Sequence, residues 1–183
     1  MRRLIPVAAG AAGLLLAGLA AAALAHSTRA QDSYSYRATL TPGVEVPRAR
    51  APASARGLFT GTVTEDGANR SLQWRLTFSK LSGKAVAAHV HKGRRGVAGG
   101  VLVPLCGPCK TGQSGSVQIS KKAADALKQG RAYVNVHTAR NQAGEIRGQA
   151  KLTGQTSGPG AGSSGTTTSS STTPTTTDPY VGY

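Results

Sequence analysis

Leu72-Gln73-Trp74-Arg75-Leu76-Thr77-Phe78 alternates apolar and polar side chains without a break. That is the period of a strand with one face in a core and one in water. Upstream, Phe59, Gly61 and Val63 show the same period. Glu65-Asp66-Gly67 between the two segments is a hairpin signal, because Asp-Gly supplies the positive φ that a tight turn needs. Further upstream, Tyr34, Tyr36, Ala38 and Leu40 alternate with Ser, Arg and Thr. Downstream, residues 85–91, 101–105, 116–119, 132–138 and 145–152 read as further strands, about eight in all at the spacing of a sandwich. One helix interrupts them. Ser120 is placed to cap it, residues 121–129 carry Ala123, Ala124, Ala126 and Leu127 as apolar positions, and Gly130 stands where a C′ glycine is expected. The expected fold is an all-β sandwich or Greek-key barrel with one short helix in a crossover.

The two ends of the 183-residue chain have other compositions. Residues 1–25 open with Arg2 and Arg3 and continue as a Leu/Ala/Gly run without a charge, the pattern of a secretory leader. Two small-residue cleavage sites fit, after Ala25 and after Ala30. Cleavage is expected to leave no membrane span and to place the protein outside the cytoplasm, secreted or in the cell envelope. Residues 153–183 contain 16 Ser or Thr and no Lys or Arg, and read as a disordered Ser/Thr/Gly/Pro-rich tail that buries no core. About 120 residues remain for one domain, expected at 34–152, which excludes a large multidomain enzyme.

Within that domain the sequence offers few reactive groups. His89-Val90-His91 places two imidazoles on one face of a strand, with Cα atoms about 6.6 Å apart. His137 lies on another strand and shares its face with Tyr133 and Asn135. If the two strands are neighbours, three nitrogens converge in a set that suits copper or zinc with an open position. The competing reading is a structural cluster of hydrogen-bonding histidines with no cofactor. Glu145 and Arg147 alternate onto one strand face and are expected, with Asn135, to join a buried polar cluster or to support a metal from behind.

Cys106-Gly107-Pro108-Cys109 has the letters of a dithiol redox motif, but no helix signal follows it for ten residues. In an exported chain the two cysteines are expected to close a local disulfide. The acids show no general acid/base couple, and no nucleophile elbow, phosphate loop or dinucleotide fingerprint occurs. Positions 32–152 carry 19 Lys or Arg against six Asp or Glu, about +13. Such a surface favours anionic envelope polymers, with an extracellular protein as another class of partner. Lys92, Arg94 and Arg95 form the densest cluster. Specific nucleic-acid recognition is not expected, because the aromatic residues are not interleaved with the basic ones.

Several stretches together resemble the CHRD domain, named for chordin: Ala87-Ala88-His89-Val90-His91-Lys92-Gly93, Gly99-Gly100-Val101-Leu102-Val103, Tyr133-Val134-Asn135-Val136-His137-Thr138 and Gly144-Glu145-Ile146-Arg147-Gly148. Ala38-Thr39-Leu40 leading to Val44-Glu45-Val46-Pro47 is similar too. The resemblance covers about residues 34–152. It implies an extracytoplasmic, immunoglobulin-like β-sandwich and no general activity. His89-Val90-His91 is also locally similar to the copper-binding strand of Cu/Zn superoxide dismutases, but this domain has three histidines in all, too few for a two-metal site. The leading expectation is a non-enzymatic exported module with a binding or structural role and no cofactor. The alternative is a copper or zinc protein using His89, His91 and His137, with weak superoxide or redox chemistry.

Overall fold

The structure is a computed structural model and describes residues 31–158. The expected leader at 1–25 and the expected tail beyond residue 158 lie outside the described residues. Nine strands form two antiparallel sheets. The first contains β1 (Asp32–Leu40), β2 (Arg56–Asp66), β3 (Asn69–Ser79), β6 (Gln113–Gln118) and β9 (Lys151–Thr156), in the order β6-β3-β2-β1-β9. The second contains β4 (Ala85–Lys92), β5 (Val101–Cys106), β7 (Ala132–Thr138) and β8 (Ile146–Gln149), in the order β5-β4-β7-β8.

The alternation decides the burial. Phe59, Val63, Leu72 and Leu76 are fully buried between the sheets, together with Tyr36, Ala88, Val90, Val134 and Val136. The β2–β3 hairpin turns at Gly67, whose φ of 58° is the conformation that favours glycine. Helix α1 (Lys121–Lys128) is capped as expected: Ser120 Oγ accepts from the Ala123 N–H, and Ala123, Ala124, Ala126 and Leu127 are its buried residues. Among the described residues no helix is long and apolar enough to cross a membrane.

One expected strand is divided. The segment at 145–152 splits into β8, which pairs with β7, and β9, which pairs with β1 in the other sheet. Ala150 still donates its N–H to Ala132 O, after which the chain changes sheet. No glycine or proline marks the crossing. Its local fixture is the Gln149 amide, whose Nε2 lies within hydrogen-bond reach of the carbonyls of Gly93, Gly130 and Ala132. β9 also carries the first four residues of the Ser/Thr-rich stretch into a sheet, up to Thr156.

The decisive element for function is β7. All seven of its residues are buried, although it belongs to a sheet with only one face on the core. Ala132, Val134 and Val136 fill the core, while Tyr133, Asn135 and His137 are covered from the other side by loops. Residues 93–100, the β1–β2 connection around Glu45 and the turn 139–145 supply that cover.

Candidate metal centre

Strand β4 lies beside β7, with His89 opposite Asn135, His91 opposite Tyr133 and Ala87 opposite His137. His89 and His91 therefore share the outer face of the sheet with His137, diagonal to His89. The expected convergence occurs: one ligand nitrogen from each histidine lies within 4.8 Å of the other two. His89 Nδ1 and His137 Nε2 are 3.1 Å apart.

Two backbone carbonyls set the tautomers. His91 Nδ1 is 2.9 Å from Gly99 O, and His137 Nδ1 is 2.8 Å from Gln142 O. A carbonyl oxygen only accepts, so each Nδ1 carries the proton and each Nε2 presents its lone pair. His91 Nε2 is buried without a hydrogen bond of full geometry, although the Asn135 side chain lies close enough to pull the His91 pKa up; a buried polar atom held so loosely costs free energy. The His137 Nε2 lone pair accepts from His89 Nδ1–H in this arrangement.

Burial pushes the His89 pKa down to about 4, with His137 and His91 adding to the effect. Burial also lowers His91 and His137, although the carbonyls of Gly99 and Gln142 pull the other way. Burial thus favours the neutral form of all three rings, the protonation state a metal requires. Two nitrogens 3.1 Å apart, each at about 2.05 Å from an ion, subtend about 100° at it, close to tetrahedral. Tetrahedral ligands at that distance stand about 3.3 Å apart, so a separation of up to 4.8 Å requires the third ring to swing inward by as much as about 1.5 Å.

The surrounding residues hold the rings rather than compete for the ion. Tyr133 stacks on His91 with centroids 5.0 Å apart and 10° between planes, and the Arg147 guanidinium carbon lies 3.4 Å from the centre of the other ring, Tyr133. Arg147 Nη2 donates to the carbonyls of Arg94 and Val97, and so holds down the loop that provides Gly99 O. Asn135 donates to Ala143 O. Glu45 lies beside Asn135 across Gly144, where a Cβ would stand 2.6 Å from Asn135 Nδ2. Burial raises the Glu45 carboxyl to about 7 against the pull of Arg147.

Glu145 and Arg147 are fully buried as expected, but neither hydrogen-bonds an imidazole. Glu145 accepts from Ser82 N–H (2.5 Å), Ser82 Oγ (2.6 Å), Thr138 Oγ1 (2.5 Å) and Asn141 Nδ2 (3.0 Å). Its link to the histidines runs through the turn: Thr138 and Asn141 fix the loop whose Gln142 carbonyl orients His137. Cys106 and Cys109 form a disulfide, and the next element is the strand β6 rather than a helix. The basic cluster divides. Arg95 lines a cleft with Arg147 and Lys151, whereas Lys92 sits beside Lys121, Lys122 and Arg131 next to the helix. Sequence reasoning missed Glu45 as a neighbour of this site and the two orienting carbonyls. Glu45 had one signal, a carboxylate between Val44 and Val46; a carbonyl has none.

Residues 36–150 match the family model described as CHRD domain. No curated protein and no solved structure matches the chain.

Proposed function

The chain belongs to the CHRD domain family, and from that premise we propose that it is an exported binding module whose outer sheet face holds one copper or zinc ion through His89 Nδ1, His91 Nε2 and His137 Nε2. The observation that carries this reading is the pair of inward lone pairs. Gly99 O and Gln142 O hold both Nδ1–H groups, and this turns the Nε2 atoms of His91 and His137 inward, with His91 Nε2 buried and lacking a hydrogen bond of full geometry. A metal-ligating histidine characteristically donates its other ring N–H to a carbonyl or carboxylate, as His91 and His137 do.

Three neutral imidazoles suit zinc or copper and do not suit calcium or magnesium, which take oxygen ligands. Loading requires His89 to move its proton from Nδ1 to Nε2. His89 is the one ring of the three that is only partly buried, so Nε2–H faces the wetter side. Because burial favours the neutral rings, uptake near neutral pH should release few protons. The set carries no carboxylate, so a bound divalent ion keeps its charge and favours an anion or hydroxide at the remaining position. The role assigned is binding, and no reaction is assigned.

The test is metal content after dialysis of the purified protein against one equivalent of Cu(II) or Zn(II). The expected result is about one ion per chain with Kd below about 1 µM. His91→Ala and His137→Ala each remove it. At free metal about 100 times Kd, linkage adds about 2.7 kcal/mol to stability, readable as a higher Tm. Retention below about a tenth of an equivalent at micromolar protein refutes the metal and leaves a hydrogen-bonded histidine cluster.

A further inference from the structure

The outer face of the five-stranded sheet carries a second arrangement that neither the core nor the histidines use. Across this sheet the register aligns Ser114 with Arg75, Arg75 with Thr60, Thr60 with Arg37, and Arg37 with Lys151. One row perpendicular to the strands therefore reads Ser-Arg-Thr-Arg-Lys. Arg75, Arg37 and Lys151 are exposed, and the row from Arg75 to Lys151 covers about 14 Å at the usual strand spacing. The next row, Ser116-Gln73-Thr62-Ser35, is hydroxyl and amide throughout.

Arg37 and Lys151 are directly opposite each other on neighbouring strands, an arrangement that destabilises a sheet. No carboxylate relieves it. Among the described residues Arg37, Arg75 and Lys151 have no ion pair or hydrogen bond, while Glu65 is taken by Arg70 and Lys128, Asp125 by Lys121, and Glu145 by its own network. The row from Ser114 to Arg37 lies in a shallow depression of about 800 Å³, and Lys151 lines the neighbouring cleft. At Arg37 and Thr153 the depression continues into that cleft, of about 490 Å³, which adds Arg95 and Arg147. No acidic residue lines either one.

We propose that this face binds an acidic polysaccharide, with the cation row taking carboxylate or sulfate groups and the flanking hydroxyls and Gln73 taking sugar hydroxyls. The composition of the face favours that partner over other polyanions. Its aromatic neighbours Tyr36 and Trp74 point into the core, 2% and 6% exposed, so no ring is presented for base stacking. The two rows contain no apolar side chain that would enter a lipid surface. A row of cations on a sheet, rather than on a loop, with gaps of about 10 Å and about 5 Å, fits an extended polymer that presents its acid groups in line. The site is separate from the histidine centre and needs no metal.

The test uses the full purified protein, with and without Arg37→Gln/Arg75→Gln, and a control with equal charge loss elsewhere, Lys84→Gln/Lys122→Gln. Binding is measured by titration calorimetry at about 0.15 M salt against polygalacturonate, dextran sulfate, neutral dextran, polyphosphate and oligo-dT. The expected result is binding to polygalacturonate or dextran sulfate, the stronger of the two identifying the acid group, and none to neutral dextran. The row variant weakens it by about ten-fold or more and the control by about two-fold or less. The row variant should also melt no lower than the parent, since it removes a repulsion. Equal losses in both variants, absence of binding to both acidic polysaccharides, or tighter binding of polyphosphate or oligo-dT would each overturn the proposal.

Discussion

Replacing Glu145 by Gln removes a buried charge while keeping the volume, and its cost follows from the four donors that converge on the carboxylate. Oε1 accepts from Ser82 N–H, and Oε2 accepts from Ser82 Oγ, Thr138 Oγ1 and Asn141 Nδ2. A glutamine keeps one acceptor oxygen. If that oxygen stays with Ser82 N–H, the new amide faces two hydroxyls, which rotate to accept, and the Asn141 amide, which does not. Hydrogen bonds to a charged group contribute about 1.5–3 kcal/mol each, and a buried donor left unmade costs about 1–3 kcal/mol. Losing one bond outright and the charge assistance of the others gives roughly 3 kcal/mol. With an unfolding entropy of about 2.1 cal/mol/K per residue over roughly 125 ordered residues, Tm should fall by about 11 °C. Burial raises the Glu145 carboxyl, but these donors outweigh it and hold its pKa below the usual range. The stabilisation is thus present above about pH 4.5 and is lost as pH falls through the depressed pKa, so parent and variant should converge in acid. Paired urea titrations at pH 7 and pH 3 measure both effects. A loss under about 1 kcal/mol at pH 7, or a gap that does not narrow in acid, would show that the carboxylate is not the keystone of this turn.

Other outcomes follow from the same geometry. Glu45 has its pKa raised to about 7, so its burial costs stability as pH rises from about 4.5 to about 7, by up to about 3 kcal/mol; Glu45→Gln should flatten the stability profile over that window. Arg147→Lys keeps the charge but loses the planar stack on Tyr133 and the pair of bonds to Arg94 O and Val97 O. It should cost about 2 kcal/mol and speed hydrogen exchange in residues 93–100. Reducing the Cys106–Cys109 disulfide, or replacing both by Ser, opens a very short loop and should cost about 2 kcal/mol or less. Metal uptake by that variant should match the parent, because neither sulfur belongs to the histidine cluster.

The alternation in Leu72 to Phe78 and the Asp66-Gly67 turn made the larger sheet legible, because period and turn chemistry are local properties of a chain. The capped helix was legible for the same reason. His89 and His91 could be paired from their spacing alone, whereas His137 became their neighbour only through the β4–β7 pairing, 48 residues away in the chain. The roles of Glu145 and Arg147 were legible as burial but not as partnership, since the loops that satisfy them come from residues 82, 94 and 97. The division at Gln149 was not legible at all. Alternation continues through Ile146, Gly148, Ala150 and Leu152, while the sheet to which each residue belongs changes. The aligned row of Arg75, Arg37 and Lys151 was likewise invisible, because each residue sits on a different strand and only register brings them into line.

The two carbonyls that orient His91 and His137 bear on how this centre tolerates change over time. A carbonyl is supplied by whatever residue occupies its position, so the side chain at 142 is free to drift without disturbing His137. The constraint falls instead on loop length: inserting or deleting one residue in 139–145 shifts which carbonyl meets Nδ1. Position 99 is tighter, since a side chain there would collide with the Lys92 carbonyl. Homologous copies of this domain should therefore vary freely in letter at 142, keep glycine at 99, and preserve the count of residues between His137 and Glu145.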